Sequence, residues 1–189
     1  VSAFDTDTGK ELKYGERGEL RVVSPSAMAM YYNNSAATEL FFHTAEDGKR
    51  WGCTGDIGYV DEDGWVYVLG RTSDCYIAPD NTTVYNFDIE NVILQDKAVK
   101  DCEVVDISIN GITVPAAHMI LNDTNSESFE TVVKRVDESC RALLEDYAVP
   151  AVYKCRTGFA VKPSGKRDTA ALKAESNGYI NADGESVVL

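Results

Sequence analysis

Residues 51–74 read W-G-C-T-G-D-I-G-Y-V-D-E-D-G-W-V-Y-V-L-G-R-T-S-D, and this stretch decides most of what the sequence predicts. Residues 61–64 (Asp-Glu-Asp-Gly) are a turn signal between two runs rich in aromatic and β-branched residues, which predicts a β-hairpin. A Thr54-Gly55-Asp56 turn lies in the first run, and Gly70-Arg71 and Asp74 follow the second. The stretch therefore predicts two paired strands with polar residues placed at their outer ends.

The segments upstream of this hairpin also carry β-strand signals. Residues 18–23 (Gly-Glu-Leu-Arg-Val-Val) predict a strand, and turn residues at 7–9 and 15–18 separate short extended segments. Residues 36–42 predict a short helix. Because Val1 already lies in a predicted strand and no initiator Met is present, we expect the chain to be a piece of a longer protein.

Downstream of Asp74 the pattern changes to alternating strands and helices. Two short β-rich runs flank Pro79-Asp80-Asn81, which predicts a tight hairpin, since Asp and Asn tolerate a left-handed backbone. Asn86 is placed to cap a helix that runs to residue 94. Strands are predicted at 103–109 and 116–121, where Pro115 limits the backward extension of the second.

The clearest helix is predicted over residues 126–147, and a strand is predicted over residues 152–161. Apolar side chains recur in the helix at three- and four-residue steps, which favours a core-facing stripe. The stripe comprises Phe129, Val132, Val133, Val136, Cys140, Leu143, Leu144 and Tyr147. The second part of the chain is therefore predicted to be α+β.

The net charge of the chain limits the classes of molecule that it is expected to bind. A net charge of −13 argues against non-specific binding to nucleic acid or anionic membranes, and no apolar run reaches the roughly 20 residues of a membrane span. Residues 151–173 are an exception, with six basic residues against Asp168: Lys154, Arg156, Lys162, Lys166, Arg167 and Lys173. Such a stretch suits a small anionic ligand, but charge alone favours a solvated surface edge.

Cysteine and histidine usage predicts neither a disulfide framework nor a metal site. The five cysteines are scattered without a C-x-x-C pair, which favours reduced thiols in a cytoplasmic protein. The two histidines, His43 and His118, are far apart in sequence, so we expect no Ser-His-Asp triad. No residue is assigned to a metal.

Two polar features are candidates for nucleotide binding. A carboxylate at a tight turn, such as Asp56 after Thr54, accepts hydrogen bonds from vicinal hydroxyls, which is how some nucleotide-binding folds hold a ribose. Arg71 offers a planar guanidinium that grips hydroxyl or phosphate oxygens. Each has an ordinary alternative: a turn closed by its own Asp, and a surface Arg.

Pro163-Ser164-Gly165-Lys166 presents a lysine on a loop that begins rigid and ends flexible. It is not a P-loop, because a Walker A motif needs Gly at the position of Ala160 and Ser or Thr at that of Arg167. Lysine is protonated at neutral pH, so it would stabilise developing negative charge rather than abstract a proton. The alternative is an exposed turn with a solvated side chain.

The order of these motifs resembles that of the adenylate-forming ligases, which include acyl-CoA synthetases, firefly luciferase and peptide-synthetase adenylation domains. The resemblance covers nearly the whole chain. Its segments are Gly18-Glu19-Leu20-Arg21-Val22, Tyr31-Tyr32-Asn33 with Thr38, Thr54-Gly55-Asp56 with the following hairpin, the hinge-like Gly70-Arg71-Thr72-Ser73-Asp74, residues 84–90 (V-Y-N-F-D-I-E), and the catalytic-lysine-like Pro163-Ser164-Gly165-Lys166.

The resemblance implies an α+β fold in two parts and an ATP-dependent acid–thiol ligase as the parent. Residues 1–73 would be the β-rich end of a large N-terminal domain, and residues 74–189 a small mobile C-terminal domain. The family's phosphate loop, adenine pocket and acyl pocket lie upstream of such a segment. We therefore expect this fragment alone to be inactive, and the acyl substrate is not encoded in it.

The resemblance also implies roles for individual residues in adenylation. Asp56 would bind the ribose hydroxyls of ATP with Thr54 and Arg71 beside it. Lys166 would bridge the α-phosphate and the substrate carboxylate. Asp74 would be the pivot on which the small domain turns. ATP, Mg²⁺, a carboxylic acid and CoA are implied for the parent, with none held tightly by this fragment.

Asn81 and Thr82 would face the thiol acceptor in the second step, where the sequence departs most from the family. The departures are Asn81 for a usual Gly, Ala78 for a Lys, Met30 for a Gly, Asn86 for a Pro, and Thr169 where an Arg often follows the lysine motif. Two alternatives to a CoA ligase therefore stay open. One is an enzyme that loads the pantetheine arm of a carrier protein, of D-alanine or peptide-synthetase type, and the other is a degenerate, non-catalytic interaction module.

Overall fold

The computed structural model describes residues 1–45, 48–78, 80–124 and 126–189. The chain folds as two compact units, Val1–Ser73 and Asp74–Leu189. Sheets and helices are mixed along the chain, so the predicted α+β class is confirmed. No helix in the described parts of the chain combines the length and the apolarity that a bilayer span requires.

The first unit is built on a five-stranded antiparallel sheet with one short helix in its described residues. Its elements are β1 (Ser2–Phe4), β2 (Gly18–Val22), α1 (Ser35–Phe41), β3 (Phe42–Thr44), β4 (Arg50–Val60) and β5 (Val66–Arg71). The strand order is β1-β2-β4-β3, and β5 also pairs with β4. The long central strand β4 therefore organises the unit.

The predicted hairpin at residues 61–64 is confirmed as the β4–β5 connection. The Asp61 N–H donates to the Trp65 carbonyl at 3.0 Å, and the Gly64 N–H donates to the Asp61 carbonyl at 3.0 Å. The Asp61 carboxylate also accepts from the amides of Asp63 and Trp65. Gly64 has a φ of +85°, which a residue without a Cβ adopts without strain. The turn chemistry thus fixes the register in which β4 and β5 pair.

Helix α1 is held at its start by polar side chains. The Asn34 side chain caps it by accepting from the Ala37 N–H at 3.0 Å. One turn into the helix, the Thr38 hydroxyl accepts from the Tyr31 N–H at 3.0 Å and donates to the Asn34 carbonyl. The spacing of Tyr31 and Thr38 in the motif therefore has a structural cause: the threonine fastens the entering loop to the helix.

The second unit contains a two-stranded sheet, a five-stranded sheet and three α-helices within its described residues. Its elements are β6 (Cys75–Ile77), β7 (Thr83–Tyr85), α2 (Asn86–Ile93), β8 (Val99–Ile109), β9 (Ile112–Leu121), α3 (Phe129–Leu143), a 3₁₀ turn (Asp146–Ala148), β10 (Val152–Arg156), α4 (Thr169–Lys173), β11 (Tyr179–Ile180) and β12 (Ser186–Val187). The larger sheet has the order β12-β11-β10-β9-β8, with β9 and β10 parallel.

The larger sheet is buried on both faces. Val104 of β8 joins one core with α2 and α3, whereas the next residue, Val105, joins a second core with Leu172 of α4. This alternation follows from the two-residue repeat of a strand. Strand β8 therefore supports α2 and α3 on one face of the sheet and α4 on the other.

Helix α3 confirms most of the predicted apolar stripe. Val132, Val133, Val136 and Cys140 are buried, and the Ser128 hydroxyl caps the helix by accepting from the Thr131 N–H at 3.3 Å. The prediction was wrong at the ends, because the helix spans Phe129–Leu143 rather than residues 126–147. Leu143 was also wrongly placed in the stripe, since its side chain is 60% exposed at the last helical position.

Two other expectations were wrong. Asn86 does not cap α2: it is the first helical residue, because the extended Tyr85 of β7 precedes it directly, and its N–H donates to the Asp74 carbonyl at 3.0 Å. Pro115 does not stop β9, which begins at Ile112. The Pro115 carbonyl accepts from the Ala151 N–H, just before β10 begins at Val152. Proline has no N–H to donate on this side of β9, and at this position β10 has not yet begun, so no hydrogen bond between the two strands is lost.

The predicted strand over residues 152–161 was also too long. Strand β10 ends at Arg156, and Val161 instead forms an isolated antiparallel bridge with Arg167. The hairpin predicted around Pro79-Asp80-Asn81 is confirmed as the antiparallel β6–β7 pair, with Pro79 itself outside the described residues.

His118 is a core histidine whose polar atoms are satisfied within the second unit. It is fully buried on β9, and its Nδ1 accepts from the Arg156 guanidinium at 2.9 Å. Because Nδ1 is an acceptor, the proton lies on Nε2, which donates to the Tyr179 hydroxyl at 3.3 Å. Burial, with the Arg156 charge beside it, lowers the pKa of His118 to about 4. The ring is therefore neutral and structural.

Candidate active site

The Thr54-Gly55-Asp56 segment is a kinked part of strand β4. Gly55 has a φ of +71°, a left-handed conformation that favours glycine. The Thr54 hydroxyl donates to the Leu20 carbonyl at 2.7 Å and accepts from the Asp56 N–H at 3.0 Å. The threonine therefore ties the kink to β2 and fixes the backbone from which the Asp56 side chain projects.

Asp56 and Arg71 form the polar pair that the motif order predicted would be used together. They are direct cross-strand partners on β4 and β5, and the Arg71 Nη1 donates to the Asp56 Oδ1 at 2.5 Å. The same Nη1 lies 3.3 Å from the Thr54 carbonyl. Both side chains are partly exposed, at 46% for Arg71 and 28% for Asp56, so solvent screens the pair and it adds little stability. Its effect is to hold the carboxylate in one orientation.

The second carboxylate oxygen of Asp56 is available for a ligand. Only Oδ1 bonds to Arg71, and no described residue donates a hydrogen bond to Oδ2. An ionised carboxylate accepts several hydrogen bonds, so a partly exposed and preoriented Asp56 suits a pair of vicinal hydroxyls. The first unit thus brings together Thr54, Asp56 and Arg71, three of the residues selected from the sequence.

Lys166 lies on a tight turn in the second unit, and an isolated antiparallel bridge closes the base of this turn. The bridge pairs Val161 with Arg167. Inside it, the Lys162 N–H donates to the Lys166 carbonyl and the Gly165 N–H donates to the Lys162 carbonyl, both at 2.8 Å. Gly165 has a φ of +80°. The turn is exposed, so the lysine amine projects from an ordered base into solvent.

Lys166 differs from the other basic residues of its stretch because it has no ion-pair partner among the described residues. Acids of the second unit neutralise the rest: Glu175 pairs with Lys154 and Arg156, Asp168 of the same stretch with Lys162, Asp101 and Glu103 with Arg167, and Asp106 with Lys173. The basic stretch is therefore mostly a set of internal ion pairs. Within the described part of the chain, Lys166 is the basic residue of this stretch that has no acidic partner, so its charge is available to an anionic ligand.

The clamp around Arg167 is a feature that sequence reasoning missed. Arg167 contacts both oxygens of Asp101 at 2.8 and 2.6 Å, Glu103 at 2.7 Å and the Cys102 carbonyl at 2.8 Å. Its guanidinium also lies over the Phe159 ring, 4.6 Å from the centroid. The available signal was weak: Asp101 and Glu103 alternate on one strand, but nothing in the sequence brings them to Arg167.

The chain is similar in sequence to known CoA ligases and in structure to solved synthetases. The 2-succinylbenzoate–CoA ligase of Bacillus licheniformis is 35% identical over 147 residues, which is 77% of this chain and 28% of that protein. A long-chain-fatty-acid–CoA ligase of Bacillus subtilis is 28% identical over 168 residues, 88% of this chain and 28% of that protein. The AMP complex of O-succinylbenzoate coenzyme A synthetase from Bacillus subtilis superimposes with a TM-score of 0.70 at 28% identity, covering 95% of this chain and 34% of that one.

The chain belongs to the AMP-forming acyl-CoA synthetase-like family. No family model matches it. The solved structure of the amide bond synthetase McbA from Marinactinospora thermotolerans is a further relative, with a TM-score of 0.75 at 25% identity over 92% of this chain. The chain spans about a third or less of the length of these proteins.

The departure of this acyl-CoA synthetase-like chain at Asn81 keeps the backbone that a glycine would take. Asn81 has a φ of +69°, and its N–H donates to the Ala78 carbonyl at 2.9 Å. The Thr82 N–H is bonded to the Asp80 carboxylate at 2.9 Å. Asn tolerates left-handed geometry, so Asn81 adopts a backbone conformation that glycine also favours, and it adds a side chain to the loop.

The remaining candidate is Asp74, the first residue of the second unit. Its carbonyl accepts from the Asn86 N–H, which ties the start of the unit to the start of α2. Among the described residues no three His, Cys, Asp or Glu side chains converge in a way that would hold a metal.

Proposed function

We propose that this chain is the C-terminal part of an AMP-forming acid–thiol ligase. The carboxylate of an acid substrate attacks the α-phosphate of ATP, which releases pyrophosphate and leaves an acyl-adenylate. A thiol then attacks the acyl carbon, giving a thioester and AMP. We favour CoA as the thiol, because two of the relatives are named CoA ligases. The cytoplasm is the compartment we propose for this chemistry, since the five cysteines are scattered along the sequence without a C-x-x-C pair.

Asp56, Arg71 and Thr54 are proposed to hold the ribose of ATP. Asp56 would accept hydrogen bonds from the two ribose hydroxyls through its unbonded oxygen and the exposed side of the carboxylate. Arg71 keeps that carboxylate oriented, since it already bonds to Oδ1. Thr54 acts by fixing the backbone at Asp56, because its hydroxyl bonds to the Leu20 carbonyl and the Asp56 amide.

Lys166 is proposed to stabilise the charge that develops between the attacking carboxylate and the α-phosphate. The observation that carries this role is its isolation as a cation among the described residues: every other basic residue in its stretch has an acidic partner. A preorganised donor at a developing charge contributes roughly 3–4 kcal/mol to transition-state stabilisation. An exposed amine on an ordered turn meets an anionic ligand without first breaking an internal ion pair.

The two compact units support a proposal of domain rotation. Residues 1–73 would end the large N-terminal domain, residues 74–189 would form the mobile domain, and Asp74 would be the pivot between adenylation and thiol transfer. Asn81 and Thr82 would then face the incoming thiol. A carrier-protein pantetheine arm is the second acceptor to test, because the Asn81 side chain changes the surface of that loop.

Assays of the full-length parent protein test this function. We expect ATP–pyrophosphate exchange that depends on an added carboxylic acid, and an acyl-adenylate detectable by mass spectrometry. Supplying CoA, a phosphopantetheinyl carrier protein or an amine separately then identifies the acceptor by its acylated product. A parent that folds yet forms no acyl-adenylate with aryl, fatty or amino acids would contradict the ligase and favour the non-catalytic interaction module.

A further inference from the structure

The Arg167 clamp is placed where it controls the geometry of the lysine turn. Arg167 follows Lys166 directly and pairs with Val161 across the base of the turn. Its guanidinium leaves the turn and reaches β8, where it contacts Asp101, Glu103 and the Cys102 carbonyl. The turn is therefore fixed to the larger sheet through the side chain of one residue.

The contacts of Arg167 are of a strong kind. Its Nη2 contacts both carboxylate oxygens of Asp101, its Nη1 bonds to Glu103, and the two acids lie at alternate positions of β8. All of these hydrogen bonds are charge-assisted. The Phe159 ring covers one face of the guanidinium. The side chains in these ion pairs are only partly exposed, at 36% for Arg167, 37% for Asp101 and 16% for Glu103. Such a fork-shaped network restricts orientation as well as distance.

The other supports of the turn are weaker. Backbone hydrogen bonds close it from within, and the Asp168 N–H donates to the Ala160 carbonyl at 2.9 Å. The Lys162–Asp168 ion pair is long, at 3.8 Å, and exposed. These contacts shape the turn but do not attach it to the sheet. Helix α4 continues the chain after Asp168, and its Lys173 bonds to Asp106 of β8 at 2.5 Å, so β8 holds both ends of this segment.

We propose that Arg167 is a positioning residue for Lys166, which places the lysine amine by clamping the base of its turn onto Asp101 and Glu103. The inference deepens the proposed function, on which it rests for its catalytic consequence. All the residues of the clamp lie within this chain, so the clamp can be measured without the rest of the parent protein. Displacement of a catalytic group by about 1 Å can cost on the order of 10²-fold in rate, so a clamp of this kind has a measurable effect.

The first experiment measures the clamp in the 189-residue chain by amide hydrogen exchange. Arg167→Leu is compared with Arg135→Leu, a matched control because Arg135 makes the same kind of double bridge to Asp96 and Glu127 on a different part of the unit. We expect exchange at the amides of residues 162, 165 and 168 to rise about 10-fold in the first variant only. Core amides such as that of Val133 should be unchanged.

Asp101→Asn provides a second variant in case Arg167→Leu lowers protection throughout the core. It removes the charge of Asp101, which weakens the contact with the Arg167 Nη2 while leaving the arginine side chain in place. We expect faster exchange at the same three amides. Arg167→Lys should give an intermediate result, because a point charge cannot bridge both acids as the guanidinium does. Unchanged exchange at the three amides in both Arg167→Leu and Asp101→Asn would overturn the clamp.

The second experiment measures the consequence for catalysis in the full-length parent. Arg167→Leu should lower kcat for acyl-adenylate formation by about 10-fold to 10²-fold, with little change in KM for ATP. In a Lys166→Ala background the same change should have no further effect, because both act through one amine. Effects that multiply in the double variant would overturn the positioning role. A wild-type parent that makes no adenylate would reject the proposed function, while the exchange result would still decide whether Arg167 holds the turn.

Discussion

At the scale of single residues, the proposed chemistry depends on the unneutralised charge of Lys166. Lys166→Ala in the full-length parent should reduce acyl-adenylate formation by about 10²–10³-fold, because one charge at the developing transition state is lost. Transfer from preformed acyl-adenylate to the thiol should change much less. Pyrophosphate exchange and single-turnover transfer measure the two steps.

Lys162→Ala is the matched control for Lys166→Ala. It removes a lysine from the same turn, but one that pairs with Asp168. We therefore expect adenylation in Lys162→Ala to stay close to that of the wild type. Adenylation within a few-fold of wild type in Lys166→Ala as well would show that the role assigned to Lys166 is wrong.

Local order in the sequence selected the candidates Asp56 and Arg71, and their role at a ribose stays a prediction. Asp56 and Arg71 were selected from their motif order, and the β4–β5 register makes them direct partners. Arg167 was not predicted, because its acceptors Asp101 and Glu103 are 66 and 64 residues away in the chain. Contacts between residues so far apart in the sequence leave no periodic pattern in it. Only the folded sheet shows which basic side chains have acidic partners.

At the scale of elements, hairpins and the amphipathic helix were predictable, whereas the short terminal elements were not. The turn at residues 61–64 and the stripe of α3 follow from local chemistry and periodicity. Strands β11 and β12 have two residues each, and α4 has five, so they carry no period of their own. They form because β10 offers a paired edge and because Leu172 and Tyr179 complete a core on the second face of the sheet.

Glu90 joins two elements of the second unit, since its carboxylate on α2 accepts from the Val104 N–H of β8 at 2.8 Å. Burial raises the pKa of Glu90 to about 7, opposed by the bond from Val104 and reinforced by the nearby Glu103 charge. Because the folded-state pKa lies above the ordinary value, the folded form binds a proton more tightly than the unfolded form. The contribution of this proton to stability is complete at low pH and is lost as pH rises through about 7.

Glu90→Gln should therefore become more stable relative to wild type as pH rises, by at most about 3 kcal/mol between about pH 4.5 and pH 8. The amide oxygen can still accept from Val104, so the bond between α2 and β8 is kept. Urea unfolding of both proteins at several pH values measures this difference. Glu138→Gln, on the polar face of α3, is a control for the loss of one carboxylate. A difference between wild type and Glu90→Gln that does not vary with pH would contradict a buried, proton-binding Glu90.

At the scale of the whole molecule, the chain carries only part of what the proposed reaction needs. It spans about a third or less of its relatives, and its ribose-binding candidates and its lysine belong to different compact units. The isolated chain should accordingly show no ligase activity and only weak ATP binding, because Asp56 and Arg71 would supply one portion of a nucleotide site. Calorimetry and pyrophosphate release test this. Micromolar ATP affinity, or turnover by the fragment alone, would contradict its being part of a larger active site.

The proposed pivot makes the sharpest prediction for the parent protein. A pivot must change its backbone angles when a domain turns, and proline fixes φ near about −65°. Asp74→Pro should therefore separate the two half-reactions, provided that the adenylation pose accepts that angle. Pyrophosphate exchange should persist, while transfer of preformed acyl-adenylate to the thiol should slow greatly.

Asp74→Ala is the matched control for Asp74→Pro, because it removes the carboxylate but leaves the backbone free. If the backbone rotation is what matters, Asp74→Ala should transfer the acyl group far faster than Asp74→Pro. If the two variants are equally slow in transfer, the side chain rather than the hinge is responsible. If Asp74→Pro changes both half-reactions by the same factor, Asp74 is an ordinary linker residue. The first compact unit ends at Ser73 and the second begins at Asp74. The pivot would then have to lie away from this junction.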